Sequence, residues 1–321
     1  MKTIWNKLDK PIFILAPMED VTDTVFRRII STCGRPDLYF TEFTNVDGLA
    51  SKGDKIVSQR ILYTPKEKPL IAQIWGMKPE NYFKAAQRLS DMGYNGIDIN
   101  MGCPQRTVTR HGACSALIKN PSLAKEIIQA TKEGANGLPV SVKTRIGFNK
   151  IVLEEWIGFL LDQDLPALTI HGRTAAEMSK VPAHWDEIGK AVDIRNAKKV
   201  KTLIIGNGDI KSLQEAKEKA KQYNLDGIMV GRGIFENPWL FNSAVSIENI
   251  TIQDRIALLK KHVDLYVQTW GENKNFQILK KYFKIYISNF DGAHELRTLL
   301  MATNNQKEVD KILQQYEAKI K

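Results

Sequence analysis

The sequence predicts an α/β fold, a TIM (β/α)8 barrel carrying a small C-terminal all-helical domain. Three observations predict it. Short β-branched or aliphatic runs recur eight times along the chain. Each is bounded by Gly, Pro or Asn and followed by a stretch of helical period. After about residue 245 the strands stop while helical periodicity continues. Eight apolar strands alternating with helices imply a parallel sheet closed on itself, because an open doubly wound sheet usually has fewer.

In order, the predicted strands are 12–16, 39–43, 70–75, 96–100, 140–144, 167–171, 203–206 and 227–231. Pro79 and Glu80 open a helix running to Met92, with Gly93 as its C-cap. Asn120 and Pro121 open another that ends near Gly134, and Ser212 is a good N-cap for the stretch to Tyr223. The barrel domain is expected over residues 1–245 and the helical domain over 246–321. The latter holds periodic stretches near 252–270, 275–289 and 305–319, with breaks at 273–275 and 304–305.

Composition narrows the function classes. The 321 residues are 43% hydrophobic and 26% charged, the balance of a soluble globular chain. No window holds the eighteen or more apolar residues of a membrane span, and the opening residues lack a signal peptide's apolar core, so no membrane role is expected. Cys33, Cys103 and Cys114 give neither a disulfide framework nor a CxxC pair; a reducing cytoplasm is expected and a metal site is not. The net charge of +10 leans toward an anionic partner, although lineage composition alone can produce such a balance.

Chemistry in such barrels sits at the C-terminal strand ends. Polar or conformationally special residues stand at all eight: Pro17-Met18-Glu19, Glu42, Gln73, Asn100 with Cys103, Lys143 with Arg145, His171 with Arg173, Asn207 with Asp209, and Gly231-Arg232. A packing role would favour apolar residues there. The last two strands end in Gly206-Asn207-Gly208-Asp209 and Gly231-Arg232-Gly233. Glycines let backbone N–H groups approach a phosphate, and loops after the seventh and eighth strands are where these barrels most often hold one. Two tight turns that need glycine are the plainer reading. A flavin mononucleotide suits the remaining ends: Gln73 can donate and accept at its pyrimidine edge, and Pro17-Met18 offers a stiff turn and a soft apolar surface.

Other residues leave alternatives open. Lys143 points into the mouth or outward; at the mouth it can hold a phosphate, form a Schiff base or stabilise a reduced flavin. His171 is a base, a donor, a stacking partner or a satisfied core histidine. Cys103, on a loop over the mouth, is a candidate acid, base or nucleophile, or an inert buried thiol. A thiol with a pKa of about 8.5 is mostly protonated at neutral pH and so suits a general acid. In the helical domain, which has 12 Lys and Arg against 9 Asp and Glu, the segment from Lys280 to Tyr286 interleaves bases with aromatics. It suits phosphate contact with base stacking, or an amphipathic helix whose aromatics pack inward.

These strand ends resemble the motifs of the dihydrouridine synthases. The resemblance is carried by Ala16-Pro17-Met18-Glu19-Asp20-Val21-Thr22-Asp23 with Phe26-Arg27, by Asp98-Ile99-Asn100-Met101-Gly102-Cys103-Pro104 with Val108, and by the segments at 140–147, 169–174, 206–210 and 231–235. They stand in family order and at family spacing. In the helical domain it rests on Lys280-Lys281-Tyr282-Phe283 and Glu295-Leu296-Arg297 alone. The resemblance implies an enzyme in which NADPH (or NADH) reduces FMN, and a uridine flipped out of tRNA receives hydride at C6 and a proton at C5 from Cys103. It implies FMN contacts from Pro17, Met18, Glu19, Gln73, Lys143, His171, Asn207, Gly208, Asp209, Gly231 and Arg232. Asn100, Arg145 and Arg173 would meet the uracil, and Lys280, Lys281 and Arg297 the tRNA, with the protein acting as a monomer. Two positions depart from the pattern: Cys114 stands where glycine is common, and 178–182 lack the usual aromatic and glycine. An FMN barrel reducing a small molecule of dihydroorotate or enone type would share the phosphate loops without needing the basic helical domain.

Overall fold

The computed structural model describes residues 3–320, with the backbone alone at position 320. Its strands are β1 (Ile12–Leu15), β2 (Leu38–Phe40), β3 (Thr44–Asn45), β4 (Leu70–Trp75), β5 (Gly96–Met101), β6 (Val140–Arg145), β7 (Ala167–His171), β8 (Leu203–Asn207) and β9 (Gly227–Val230). All pairings between them are parallel. β1 pairs with both β2 and β9, and β2 pairs with β4, so eight strands close into the expected barrel. The remaining strand, β3, is a two-residue extension against the end of β4, with Thr44 beside Ile74.

The strand predicted at 39–43 ends early, at Phe40. There hydroxyls take over from the ladder: Thr41 Oγ1 accepts from Gln73 N at 3.0 Å and donates to the Glu42 carbonyl at 2.8 Å. The expected helices lie at Pro79–Asp91, Pro121–Gly134 and Leu213–Gln222. Asn120 caps the second by accepting from Leu123 N, and Ser212 caps the third by accepting from Glu215 N. Gly93 takes a φ of +77°, the left-handed conformation that ends a helix without a Cβ penalty.

Inside the barrel, Ile12, Ile14, Leu38, Phe40, Ile71, Ala167, Leu203, Ile205 and Met229 form one apolar cluster with fully buried Trp5. Burying such side chains contributes about 1.5–3 kcal/mol each before entropy is counted.

The chain divides into two compact units, but not at residue 245. One comprises Met1–Thr24 and Pro36–Gly233; the other comprises Val25–Arg35 and Ile234–Lys321. Aromatic packing within the second unit explains the shift. Phe26 stacks on Tyr282 at 5.4 Å and meets Phe235 edge-on, while His262 hydrogen-bonds the Tyr286 hydroxyl at 2.6 Å. Its helices are Ile252–Trp270, Phe283–Tyr286, Ala293–Met301 and Gln306–Ile320. The stretch expected at 275–289 is instead a 3-10 turn, Phe276–Tyr282, running into a short helix. Ala293–Met301 had no counterpart among the predicted elements. Among the described residues no helix is long and apolar enough to cross a membrane.

Candidate active site

Strand alternation decides which side chains enter the barrel. Ile71, Ala167, Ile205 and Met229 face inward. Gln73, His171, Asn207 and Gly231 therefore share that inner face, two or four residues further toward the C-terminal mouth. Register carries it across β5 and β6: Gln73 lies beside Asp98, Asp98 beside Ser141, and Asn100 beside Lys143. The barrel has an apolar floor and a polar mouth.

Gln73 is fully buried, its Nε2 donating to Asp98 Oδ2 at 2.7 Å and its Oε1 accepting from Asn100 Nδ2 at 3.1 Å. Asn100 Oδ1 in turn accepts the backbone N–H groups of Gly102 and Cys103, at 2.9 and 3.0 Å. The amide thus pins the loop that carries the cysteine. The sequence alone gives Asp98 no role. Its signal was a lone acid between Ile97 and Ile99, since a charge inside a parallel strand needs a reason. Burial pushes its carboxyl up to about 6, against hydrogen bonds from Ser141 and Gln73 and the pull of Lys143.

Cys103 is half-buried, and its thiol differs from the ordinary one expected from the sequence. A hydrogen bond from Cys114 is the largest influence and brings the Cys103 thiol down to about 7, outweighing burial, with help from the Gln105 backbone N–H and Arg145. The shift is toward the thiolate, away from the ordinary thiol expected from the sequence. Cys114 is buried and holds a left-handed φ of +54°, in a turn tied back by Ser115 N donating to the Cys103 carbonyl at 3.3 Å. Burial raises the Cys114 thiol well above its usual range, keeping it a neutral donor. A thiol that donates a proton loses competence as pH rises through its pKa, here about 7. Cys114→Ala is expected to move that loss upward, toward about 8.5. Iodoacetamide alkylation of Cys103 against pH reads the shift; an unmoved midpoint would remove Cys114 from this role.

Lys143 points into the mouth. Its Nζ donates to Asn207 Oδ1 at 3.0 Å, and Asn207 Nδ2 donates to the Met229 carbonyl at 2.8 Å. Burial brings the amine down to about 8, with Arg145 adding to the effect and Asp98 and Cys103 opposing it. His171 is pushed well below its usual range by burial and by Arg145, Lys143, Arg173 and Arg232, so it is neutral. Arg173 Nη1 lies 3.2 Å from His171 Nε2. A guanidinium can only donate, so Nε2 accepts and the ring proton sits on Nδ1.

Both arginines expected at the substrate donate to loop carbonyls. Arg145 donates to the carbonyls of Gly102 (2.6 Å), Thr174 (3.0 Å) and Met178 (3.3 Å). Arg173 donates to the Val181 carbonyl at 2.6 Å and pairs with Asp209, whose carboxylate also accepts Ala183 N. Arg173 is 3% exposed, with these bonds directed at the loops.

At the glycine-rich ends, no acceptor among the described residues takes the backbone N–H groups of Gly208, Asp209, Gly231 or Arg232. Gly208 has a φ of +148°, and a Cβ there would lie 2.5 Å from Ala183 Cβ. A Cβ at Gly231 would make only ordinary contacts, 3.9 Å from Ala16 Cβ and 4.0 Å from Met18 Sδ. Arg232 is 63% exposed and 3.5 Å from Asp209. These amides and the guanidinium fit a phosphate, and Pro17, Met18 and Lys143 fit a flavin beside it. Glu19 pairs with Arg60 at 2.6 Å, so its carboxylate is directed at protein. Among the described residues no His, Cys, Asp and Glu group could hold a metal.

In the second unit, Tyr282, Phe283 and Tyr286 are buried, which is the inward-packing alternative. Lys280 is 9% exposed and donates to the Met301 carbonyl at 2.7 Å, closing the end of a helix. Its burial takes it out of the surface set expected for tRNA. Lys281 and Lys284 are exposed, while Arg297 donates to the Ile287 carbonyl at 2.7 Å.

Residues 14–321 match the family model described as "Dihydrouridine synthase (Dus)". The chain is 44% identical over 321 residues to "Probable tRNA-dihydrouridine synthase 2" of Bacillus subtilis, covering 99% of this chain and 98% of that one. It is 43% identical to "Probable tRNA-dihydrouridine synthase" of Staphylococcus aureus, covering 99% and 97%. Among solved structures, the old yellow enzyme homologue from Zymomonas mobilis superposes with a TM-score of 0.51 at 15% identity, over 75% of this chain and 91% of that one. That likeness concerns the barrel fold.

Proposed function

Since the chain belongs to the dihydrouridine synthase family, we propose that it reduces the uracil C5–C6 double bond of uridines in tRNA, with FMN as cofactor and NADPH (or NADH) as electron donor. One observation carries the reading: the Cys103 thiol and the half-buried Lys143 ammonium share a mouth with unengaged backbone amides on two glycine-rich loops. Pro17, Met18, Gln73, Lys143 and His171 would hold the flavin ring. The N–H groups of Gly208, Asp209, Gly231 and Arg232, with the Arg232 guanidinium, would hold its phosphate. When bound, FMN supplies the hydride that goes to uracil C6.

The chain's own residues complete the addition. Cys103 Sγ gives its proton to C5, where negative charge gathers as C6 is reduced, so hydride and proton together saturate the double bond. Asn100 keeps one N–H to offer a uracil carbonyl, because its oxygen is taken by two backbone amides. Arg145 holds the cysteine loop and acts on substrate through it. His171 offers its Nδ1 proton as a neutral donor. The uridine leaves its stack to reach this mouth. Three free cysteines suit a reducing cytoplasm, and a monomer suffices for the chemistry.

The test is direct. Purified protein should be yellow and should raise dihydrouridine in tRNA taken from cells lacking the gene. Colourless protein without FMN affinity, or turnover of a free enone with none on tRNA, would overturn the reading. Exposed Lys281 and Lys284 are the second unit's contribution to phosphate binding. Changing both to Gln should weaken tRNA binding several-fold and flatten the log-affinity against log-salt slope by about 2. An unchanged slope in filter binding would place the phosphate contacts elsewhere.

A further inference from the structure

We propose that Asp98 is a positioning residue: with Ser141, its carboxylate fixes the direction of the Gln73 and Asn100 amides, and through them the Cys103 backbone. The inference rests on the proposed roles of Cys103, Gln73 and Asn100 and adds a residue that touches none of the reacting atoms.

An amide side chain has one accepting and one donating end, so this series of bonds is legible from both sides. Backbone N–H groups only donate, so the Asn100 atom facing Gly102 and Cys103 is its oxygen. Asn100 Nδ2 then faces Gln73 and requires Oε1 there. That leaves Gln73 Nε2 to face Asp98. From the other side, an ionised carboxylate only accepts, which demands the same direction of Gln73. Ser141 Oγ donates to the second carboxylate oxygen at 2.6 Å. Turning either amide over would set donor against donor and acceptor against acceptor in a buried place, leaving those groups unsatisfied.

The fixed directions also define what a base meets. Both lone pairs of the Asn100 oxygen are used, so Asn100 presents an N–H and nothing else. A ring carbonyl satisfies it; the amino group of a cytosine in the same pose would meet donor with donor. Asp98 thereby acts at a distance on the choice of uracil over cytosine.

The groups facing Asp98 are Gln73 on β4 and Ser141 and Lys143 on β6. Its carboxyl titrates at about 6. Once protonated it can donate, and the demand on Gln73 lapses at that end. The test uses the full-length flavin-loaded protein with nitrogen-15 in its Gln and Asn side chains. The Gln73 and Asn100 amide resonances should titrate together with a midpoint near 6, and the titration should vanish in Asp98→Asn. On tRNA, Asp98→Ala should lower kcat about tenfold or more with KM within about twofold. Asp98→Asn, which can accept from Gln73 and donate to Ser141, should recover most of that loss. Wild-type amide resonances flat between pH 5 and 7, or Asp98→Ala at wild-type kcat, would overturn the proposal. Should Cys103 prove not to be the proton donor, or Asp98→Ala fail to fold, the amide titration in the wild type and its loss in Asp98→Asn still decide on Asp98.

Discussion

Cys103→Ala is expected to lower uridine reduction by about 10²–10⁴-fold, the usual worth of a positioned general acid. FMN should remain bound, and NADPH should still bleach its visible absorbance, because the thiol serves the second half of the reaction. Wild-type turnover also carries a pH signature. Proton donation should decline as pH rises through about 7, where the Cys103 thiol titrates in the unliganded protein. Single-turnover reduction of tRNA between pH 5.5 and 9 measures both. Alanine enzyme at the wild-type rate, or a loss of flavin equal to the loss of turnover, would end the proton-donor assignment.

Lys143→Met should separate function from stability. Removing the cation should cut FMN affinity and turnover by about 10–100-fold, or roughly 1.4–2.7 kcal/mol. Stability should not fall with them. The amine sits at about 8 in the fold against 10.5 ordinarily, a penalty on the order of 3 kcal/mol carried by the charged form at neutral pH. For a base with a lowered folded pKa, that penalty is complete below 8 and is relieved as pH rises from there toward 10.5. Methionine removes it but leaves Asn207 Oδ1 without its donor, which costs about 1–3 kcal/mol. The two nearly cancel, so Tm should hold or rise slightly. A drop in Tm of many degrees alongside lost activity would make Lys143 a structural residue.

The barrel was legible because each strand repeats the same local message: an apolar run, a polar or glycine end, then a helix. Cys103 and the glycine loops could be placed at one mouth from that pattern alone, whereas the direction of Lys143 stayed open. What alternation could not supply was register. Asp98 stands out in its strand as an oddity, yet only pairing with β4 and β6 reveals Gln73 and Ser141 as its partners. Cys114 lies eleven residues from Cys103 in sequence; their meeting depends on a turn that folds back, held by Ser115. Lys280 reads as a surface base because its partner is the carbonyl ending Ala293–Met301, a helix the periodicity did not announce. The carbonyls that Arg145 and Arg173 serve are not legible in the sequence, because nothing local says which will need a donor.

Arg145 has a thermodynamic consequence of its own. One buried guanidinium joins the loop carrying Cys103, through Gly102, to the loop after β7, through Thr174 and Met178. Neither loop can swing out alone without stranding a charged donor, at about 1.5–3 kcal/mol per bond. We expect the two to open together. Amide hydrogen exchange should report a shared opening free energy for both, and Arg145→Leu should split it into two.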